Sequence, residues 1–154
     1  MARPTDFLRD FAPLRNEKTC SRLTLKERGC EYRLVLQTPA WCLAYNVDGG
    51  IITDTALAKC DRAVYLCNSD GEAAKSIFVE LKGRNVEHAI EQLASTLGHP
   101  IFKQNSATKV FARAVTNRCP ANAGNASVEK AKKKFRQSYN CELKILKSGN
   151  PDKL

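Results

Sequence analysis

Residues 76–98 constrain the fold of this chain more than any other stretch, because their apolar spacing changes from the period of a strand to that of a helix. The segment "SIFVELK" (76–82) is rich in apolar residues, which is typical of a buried strand. In the residues that follow, apolar positions fall at i, i+3, i+4, i+7, i+8 and i+11. This spacing predicts an amphipathic helix that Asn85 caps and Gly98 ends. A strand followed directly by a helix indicates an α/β architecture.

Further strands and a second helix are predicted around this unit. The strands are expected at 32–37, 41–47, 61–67, 108–116 and 141–147, and the helix at 127–139. A helix ending at Gly29 is predicted within 16–29, and 148–154 is expected to be a frayed tail. Strands that follow helices require crossover connections. We therefore expect the α/β class, with a mixed central β-sheet flanked by helices in one domain of 154 residues.

Composition narrows the classes of partner and compartment. A net charge of +9 favours contact with a polyanion, above all nucleic acid. The seven cysteines are odd in number and include no C-x-x-C pair, which argues against a disulfide framework or a zinc ribbon. The chain has no apolar run of about 18 residues and no secretory signal pattern. We expect a reduced, cytoplasmic protein without a membrane span.

Charged side chains gather where two predicted strands end side by side. Glu80 and Lys82 lie two residues apart and share one face of their strand. If Cys67 pairs with Ser76 in an antiparallel hairpin, Asp61 lies opposite Lys82 and beside Glu80. Two adjacent carboxylates suit Mg²⁺, and an ammonium group can orient water or stabilise charge on a phosphate. The pattern predicts metal-assisted phosphodiester hydrolysis, with a surface salt bridge as the alternative.

The spacing of these residues resembles a known superfamily. Asp61, then eighteen residues, then Glu80-Leu81-Lys82, is similar to the motif of the PD-(D/E)XK nucleases, which include restriction endonucleases and Holliday-junction resolvases. Their core is a helix, a three-stranded antiparallel meander, a helix and a strand. The resemblance implies a restriction-endonuclease-like αβββαβ core. The expected division of the single domain 1–154 is an N-terminal extension at 1–17, the core at 18–116, an added helix and strand at 117–147, and the tail at 148–154.

The resemblance also implies roles for individual residues. Asp61 and Glu80 would bind Mg²⁺ or Mn²⁺ with the backbone carbonyl of Leu81, and Lys82 would position the attacking water. Gln92 stands on the helix where the family often places a catalytic glutamine, whereas Thr96 stands where one branch has a tyrosine. A further acidic ligand is common in the family. Its candidates are Glu31 and Asp48, with Glu17, Glu27 and Asp54 also open.

Several basic residues are candidates for nucleic-acid contact, with an ordinary solvated surface as the alternative reading. They are Lys109 and Arg113 on the strand at 108–116, and Lys132, Lys133 and Arg136 on the second helix. The expected function is a metal-dependent nuclease that acts on DNA. The alternatives are a nuclease or toxin that cleaves RNA or tRNA, and a catalytically inactive nucleic-acid-binding or protein-interaction module on the same fold. A homodimer is plausible because one such site cuts one strand.

Overall fold

The computed structural model describes residues 6–68, 70, 72–83, 85–104, 107, 109–117 and 126–154. The strands are β1 (Arg15–Glu27), β2 (Cys30–Asn46), β3 (Arg62–Cys67), β4 (Ala73–Gly83), β5 (Lys109–Thr116), β6 (Cys141–Lys147) and β7 (Pro151–Lys153). The helices are α1 (Val86–Gly98), α2 (Pro100–Lys103) and α3 (Ala126–Tyr139), and a short 3-10 helix spans Asp6–Asp10. None of the helices in these described segments is long and apolar enough to cross a membrane.

The seven strands form one sheet, which is mixed, as the sequence predicts, although the strands β1 and β7 are not among those that the sequence predicts. The order is β1-β2-β3-β4-β5-β6, and β7 pairs with β2. The first three pairings are antiparallel, whereas β5 joins β4, and β6 joins β5, in the parallel sense through the crossovers that contain α1 and α3. The α/β class and the mixed sheet are therefore confirmed. The carboxyl ends of β4, β5 and β6 meet at one edge of the sheet, at which α1 begins.

The amphipathic helix forms as predicted at its start and differently at its end. Asn85 is the N-cap, and its side chain accepts a hydrogen bond from His88 N at 3.0 Å. Gly98 is the last helical residue rather than the residue after the helix, and His99 is the C-cap. His99 also caps α2, because its Nδ1 accepts a hydrogen bond from Ile101 N and Pro100 occupies the first turn.

The helix predicted within 16–29 is wrong, because these residues form the long strand β1. Leu23 and Leu25 alternate with exposed residues, which is the two-residue period of a strand. Arg28 and Gly29 have φ angles of 51° and 76° and make the two-residue turn that leads into β2. Among the described residues no helix of more than five residues precedes the meander β2-β3-β4, so the first helix of the expected core is not present there.

Strand β2 continues through Pro39, where the sequence predicts an interruption. The pairing of β1 with β2 jumps from Val35 opposite Arg22 to Ala40 opposite Cys20. Residues 36–39 therefore lie in an irregular part of the ladder. Proline cannot donate a ladder hydrogen bond, and such an irregularity accommodates it.

The predicted frayed tail is also wrong, because β7 pairs in parallel with the first half of β2. Asp152 is only 2% exposed, and its Oδ2 accepts hydrogen bonds from Tyr32 OH at 2.6 Å and from Arg113 Nε at 2.7 Å. Burial, assisted by the Asp152 carboxylate, raises the pKa of Tyr32 well above its usual range. A buried ionic network therefore holds the tail against the sheet.

The sheet has an apolar core on each of its two faces. On one face Phe78 packs with Leu93 of α1 and Phe135 of α3. On the other face the predicted apolar row Ile77, Val79 and Leu81 packs against the hairpin of β1 and the first half of β2. A hydrogen bond of 3.4 Å from Cys30 Sγ to Val115 O joins this hairpin to β5. The hairpin is thereby held close to the edge at which β4 and β5 end.

Candidate functional site

The hairpin of β3 and β4 brings Asp61 to the end of β4, in a register two residues away from the expected one. Arg62 pairs with Val79, and Tyr65 rather than Cys67 pairs with Ser76. Asp61 immediately precedes β3, so the same register leads it toward Glu80 rather than Lys82. A shift of two residues leaves every side chain on its expected face, because side chains alternate with period two.

The carboxylate of Asp61 is anchored to β4. Its Oδ2 accepts a hydrogen bond of 2.8 Å from the backbone N–H of Leu81, the residue whose carbonyl the resemblance implies as a metal ligand. Glu80 is 2% exposed. The pKa of the Cys60 thiol is raised mainly by burial, and the negative charges of Glu80 and Asp61 act in the same direction. Both carboxylates therefore lie close to Cys60. The side chain of Lys82 lies outside the described residues.

A third carboxylate, that of Glu27, faces Asp61 from the end of β1. Burial raises the pKa of Glu27, the charge of Asp61 raises it further, and the Arg62 guanidinium opposes this shift. Arg62 Nη1 lies 3.1 Å from Glu27 Oε2. The sequence contains the signal for this placement. Glu27 continues the inward row of Leu23 and Leu25, and the row becomes visible once residues 15–27 are treated as a strand.

The other acidic candidates lie elsewhere. Glu31 points to the outer side of the hairpin, where its Oε1 lies 2.7 Å from Arg33 Nε. Asp48 is 60% exposed, and its Oδ1 lies 3.6 Å from Lys59 Nζ. Glu17 pairs with Arg15. These positions correct the expectation that Glu31 or Asp48 completes the site, because Glu27 is the acidic residue that adjoins Asp61.

Helix α1 holds the segment that carries Asp61. The Thr96 hydroxyl accepts a hydrogen bond of 2.8 Å from Cys60 N and donates one of 2.8 Å to Gln92 O. Gln92 Nε2 donates to the carbonyl of Lys59 at 3.2 Å. The expected catalytic Gln92 thus contacts backbone two residues before Asp61. Together with Thr96 it fixes the start of β3.

The predicted basic contacts lie away from the carboxylates. Lys109 begins β5 beside Lys75, whereas Glu80 lies beside Ala114, five residues further along the same strand. That separation is about 16 Å at about 3.3 Å per residue. On α3, Lys133 and Arg136 are exposed, and Lys132 Nζ lies 3.4 Å from Glu129 Oε1.

Arg113 corrects an expectation, because it is fully buried and cannot meet a ligand at the surface. Besides its bond to Asp152, Arg113 donates through Nη1 to the carbonyl oxygens of Ala112 at 3.1 Å and Glu142 at 2.9 Å. A residue that reads as a surface cation in the sequence is therefore the centre of the network that holds the tail.

The carboxylates suit a hard divalent cation in their chemistry. Asp61 raises the pKa of Glu27, which reports repulsion between two negative charges, and a bound cation relieves such repulsion. Within the described ranges, however, no three His, Cys, Asp or Glu side chains are already arranged to hold a metal ion. The geometry therefore presents the pair of Glu27 and Asp61, whereas the buried Glu80 belongs to the face of β4 that packs against α1.

The six cysteines of the described segments are all free and buried; Cys119 lies outside those segments. Comparison of the chain with protein-family models, with curated proteins and with solved structures found no match, so the site is interpreted from its own residues.

Proposed function

We propose that this protein is a metal-dependent nuclease that hydrolyses phosphodiester bonds, most readily in DNA. The observation that carries the proposal is the meeting of Glu27 and Asp61 at the end of β4, where the carboxyl ends of the parallel strands lie. This edge is where open α/β sheets commonly bind their ligands. Glu27 ends β1 and Asp61 directly precedes β3, and a substrate that reaches this edge would meet this pair of carboxylates.

The residues divide the proposed reaction between them. Glu27, Asp61 and Glu80 would hold Mg²⁺ or Mn²⁺, with the Leu81 carbonyl as the further ligand that the family resemblance implies. Such an ion polarises a phosphoryl oxygen and lowers the pKa of bound water. Lys82 would orient the attacking water and stabilise negative charge on the phosphate. Gln92 and Thr96 position Asp61 through backbone contacts rather than by touching the substrate.

Membership of the PD-(D/E)XK superfamily is part of the same proposal. Two features support it: the antiparallel meander β2-β3-β4, and the parallel strand β5 that follows α1. Strand β1 stands where that core has its first helix, and it supplies Glu27 in the place of the acidic residue that the family takes from the helix. The domain would then be a restriction-endonuclease-like core with the first helix replaced by a strand.

The proposed substrate follows from charge. A chain with a net charge of +9 attracts phosphate backbones, and Lys109, Lys133 and Arg136 are exposed and available for them. We favour DNA over RNA, a cytoplasmic setting and a dimer in which each copy cuts one strand.

Cleavage assays test the proposal directly. The purified protein is incubated with plasmid, single-stranded and branched DNA and with tRNA, in Mg²⁺, Mn²⁺ or EDTA. We expect metal-dependent cleavage that falls at least about 100-fold in Asp61→Asn and in Lys82→Ala, since positioned acid–base and charged groups contribute about 10²–10⁴-fold. Glu91→Gln is the matched control. It removes an exposed carboxylate from the middle of α1 and is expected to leave the rate unchanged. Cleavage that persists in EDTA would refute the proposal.

A second candidate is an inactive nucleic-acid-binding module on the same fold. The observation that favours it is the deep burial of Glu80, which is 2% exposed and so poorly placed to share an ion with solvent or substrate. The same assays distinguish the two functions, because binding of every substrate without cleavage of any supports this candidate.

A further inference from the structure

The outer side of the hairpin carries a concentrated positive charge. We define the outer basic face as the outward side chains of Arg22 and Lys26 on β1, Arg33 on β2 and Lys153 on β7. The register places these residues on one face, because Arg22 pairs with Val35, which also pairs with Lys153, and Lys26 pairs with Glu31. All four cationic residues are exposed, and the other side of the same strands is packed into the core.

Acidic residues do not balance this face. Glu31 is the one carboxylate among the outward residues of the paired segments, and it serves two partners, Arg33 at 2.7 Å and Lys26 at 3.8 Å. Within the described part of the chain neither Arg22 nor Lys153 has an ion-pair partner. Four cations with one carboxylate give a local net charge of +3. Like charges on neighbouring strands repel each other, and a polyanion would relieve that repulsion.

The outer basic face is part of a rigid region of the sheet. Its middle strand is paired on both edges, with β1 on one side and β7 on the other. Lys153 follows Asp152, which is fixed by Tyr32 and Arg113, so this cation is held on the sheet by a buried network. The cations are therefore presented by a rigid sheet surface, which loses less entropy on binding than flexible termini do.

The face also leads to the candidate site. Lys26 directly precedes Glu27, whose carboxylate faces Asp61, and exposed Arg28 forms the turn of the hairpin. The basic face and the carboxylates therefore meet at the tip of this hairpin. In contrast, Lys109 lies near the amino ends of the parallel strands, away from the carboxylates.

We propose that the outer basic face binds the phosphate backbone of a nucleic acid and directs it toward the hairpin tip. This inference deepens the proposed function and rests on it for the direction of the substrate. Contacts of this kind are with phosphates and not with base edges, so the face gives affinity and orientation without sequence preference.

The test measures binding in EDTA, where no metal-dependent cleavage occurs. Fluorescent duplex DNA, single-stranded DNA and single-stranded RNA of mixed sequence are titrated over a series of salt concentrations. The variant is Arg22→Gln/Arg33→Gln/Lys153→Gln. The control is Lys130→Gln/Lys134→Gln/Lys144→Gln, which removes the same charge from exposed positions on α3 and β6. For duplex DNA the slope of log affinity against log salt changes by about 0.9 for each phosphate contact.

We expect the slope of the face variant to fall by about 2 to 3 on duplex DNA and that of the control to stay within about 0.5, following the same relation. If the two variants weaken binding equally, or if the face variant binds as the parent does, the inference is wrong. Preferential binding to vesicles of anionic lipid over all three nucleic acids would also overturn it. If the triple variant unfolds at a lower temperature than the parent, it is replaced by the double variant Arg22→Gln/Lys26→Gln, which leaves β7 unchanged.

The outcomes separate the two proposals. Binding that depends on the face, without cleavage in Mg²⁺ or Mn²⁺, refutes the nuclease proposal and keeps the binding surface. Cleavage that is unaffected by the face variant keeps the nuclease and refutes the binding surface. The comparison of DNA with RNA shows which backbone the face prefers.

Discussion

Replacing Asp152 by alanine removes the carboxylate of the buried network that holds β7. Asp152 is 2% exposed and Arg113 fully buried, and one carboxylate oxygen accepts hydrogen bonds from both Arg113 and Tyr32. After the substitution the Arg113 guanidinium remains buried. The nearest remaining carboxylate is that of Glu142, which lies 3.8 Å away and is 42% exposed. A buried cation that has lost its principal counter-ion destabilises the folded state.

The expected loss of stability follows from the burial of both Asp152 and Arg113. Removal of one member of a buried ion pair costs about 3–5 kcal/mol in the free energy of unfolding, and the unsatisfied Tyr32 hydroxyl belongs to the same loss rather than adding to it in full. For a domain of about 150 residues each kcal/mol corresponds to about 2–4 °C. We therefore expect Asp152→Ala to lower the melting temperature by about 6–20 °C.

Urea unfolding measures this loss, with Trp41 fluorescence and far-ultraviolet circular dichroism as two probes of the transition. Lys153→Ala is the matched control, because it changes the neighbouring exposed residue of the same strand and is expected to alter stability by less than about 0.5 kcal/mol. The triple variant Tyr32→Phe/Arg113→Met/Asp152→Leu is expected to recover most of the loss, since apolar replacement of a complete buried pair is often tolerated. An Asp152→Ala variant as stable as its parent would refute the reasoning.

Four further predictions concern the site and the thiols. Glu27→Gln should stabilise the fold at neutral pH and have little effect at acid pH. Folding raises the pKa of Glu27, so its carboxyl group stabilises the folded state fully below the pKa of 4.5 that it has in the unfolded chain. That stabilisation is lost as the pH rises through the pKa of the folded state. Melting curves across pH 4–8 measure the difference between the variant and the parent. Millimolar Mg²⁺ should raise the melting temperature of the parent and have a smaller effect on Glu27→Gln and Asp61→Asn, provided that both carboxylates bind the ion. Thr96→Val should cost about 1–3 kcal/mol and Thr96→Ser less, because Val leaves the buried Cys60 N–H without an acceptor; urea titrations compare them. Burial raises the pKa of Cys67 to about 11, so labelling by a thiol reagent at pH 8, followed by mass spectrometry of its peptide, should be slow in the folded protein.

The local elements of the fold are predictable because their signals lie within a few residues. The helix at 86–98 has an apolar stripe and an N-cap that both depend on neighbours three or four residues away. The sequence predicts the hairpin of β3 and β4 with a register that is wrong by two residues. It predicts a loop between 67 and 76, whereas Ala73 and Lys75 extend β4, and Ala73 is buried. Each side chain of β3 and β4 is nevertheless predicted on the correct face of the sheet, because a shift of two residues preserves the alternation.

The parts that escaped prediction depend on contacts between distant segments. Residues 16–29 carry mixed propensities, and their strand state is decided by pairing with β2. Arg113 reads as a surface cation because its partner Asp152 lies 39 positions away in the sequence. Glu27 was one of five open acidic candidates. Only the packing of the hairpin against β3 and β4 distinguishes it from Glu31, which is four residues further on.

The pairing of β7 with β2 has a consequence for the rate of folding. It joins residues about 120 positions apart, as in the bond from Tyr32 to Asp152, and such distant pairings are slow because the loop between them must close first. Until that step is complete, the first half of β2 has an open edge that can pair with another copy of the chain. Refolding at high protein concentration should therefore yield intermolecular association through this edge, and dilution should favour recovery of the correctly folded chain.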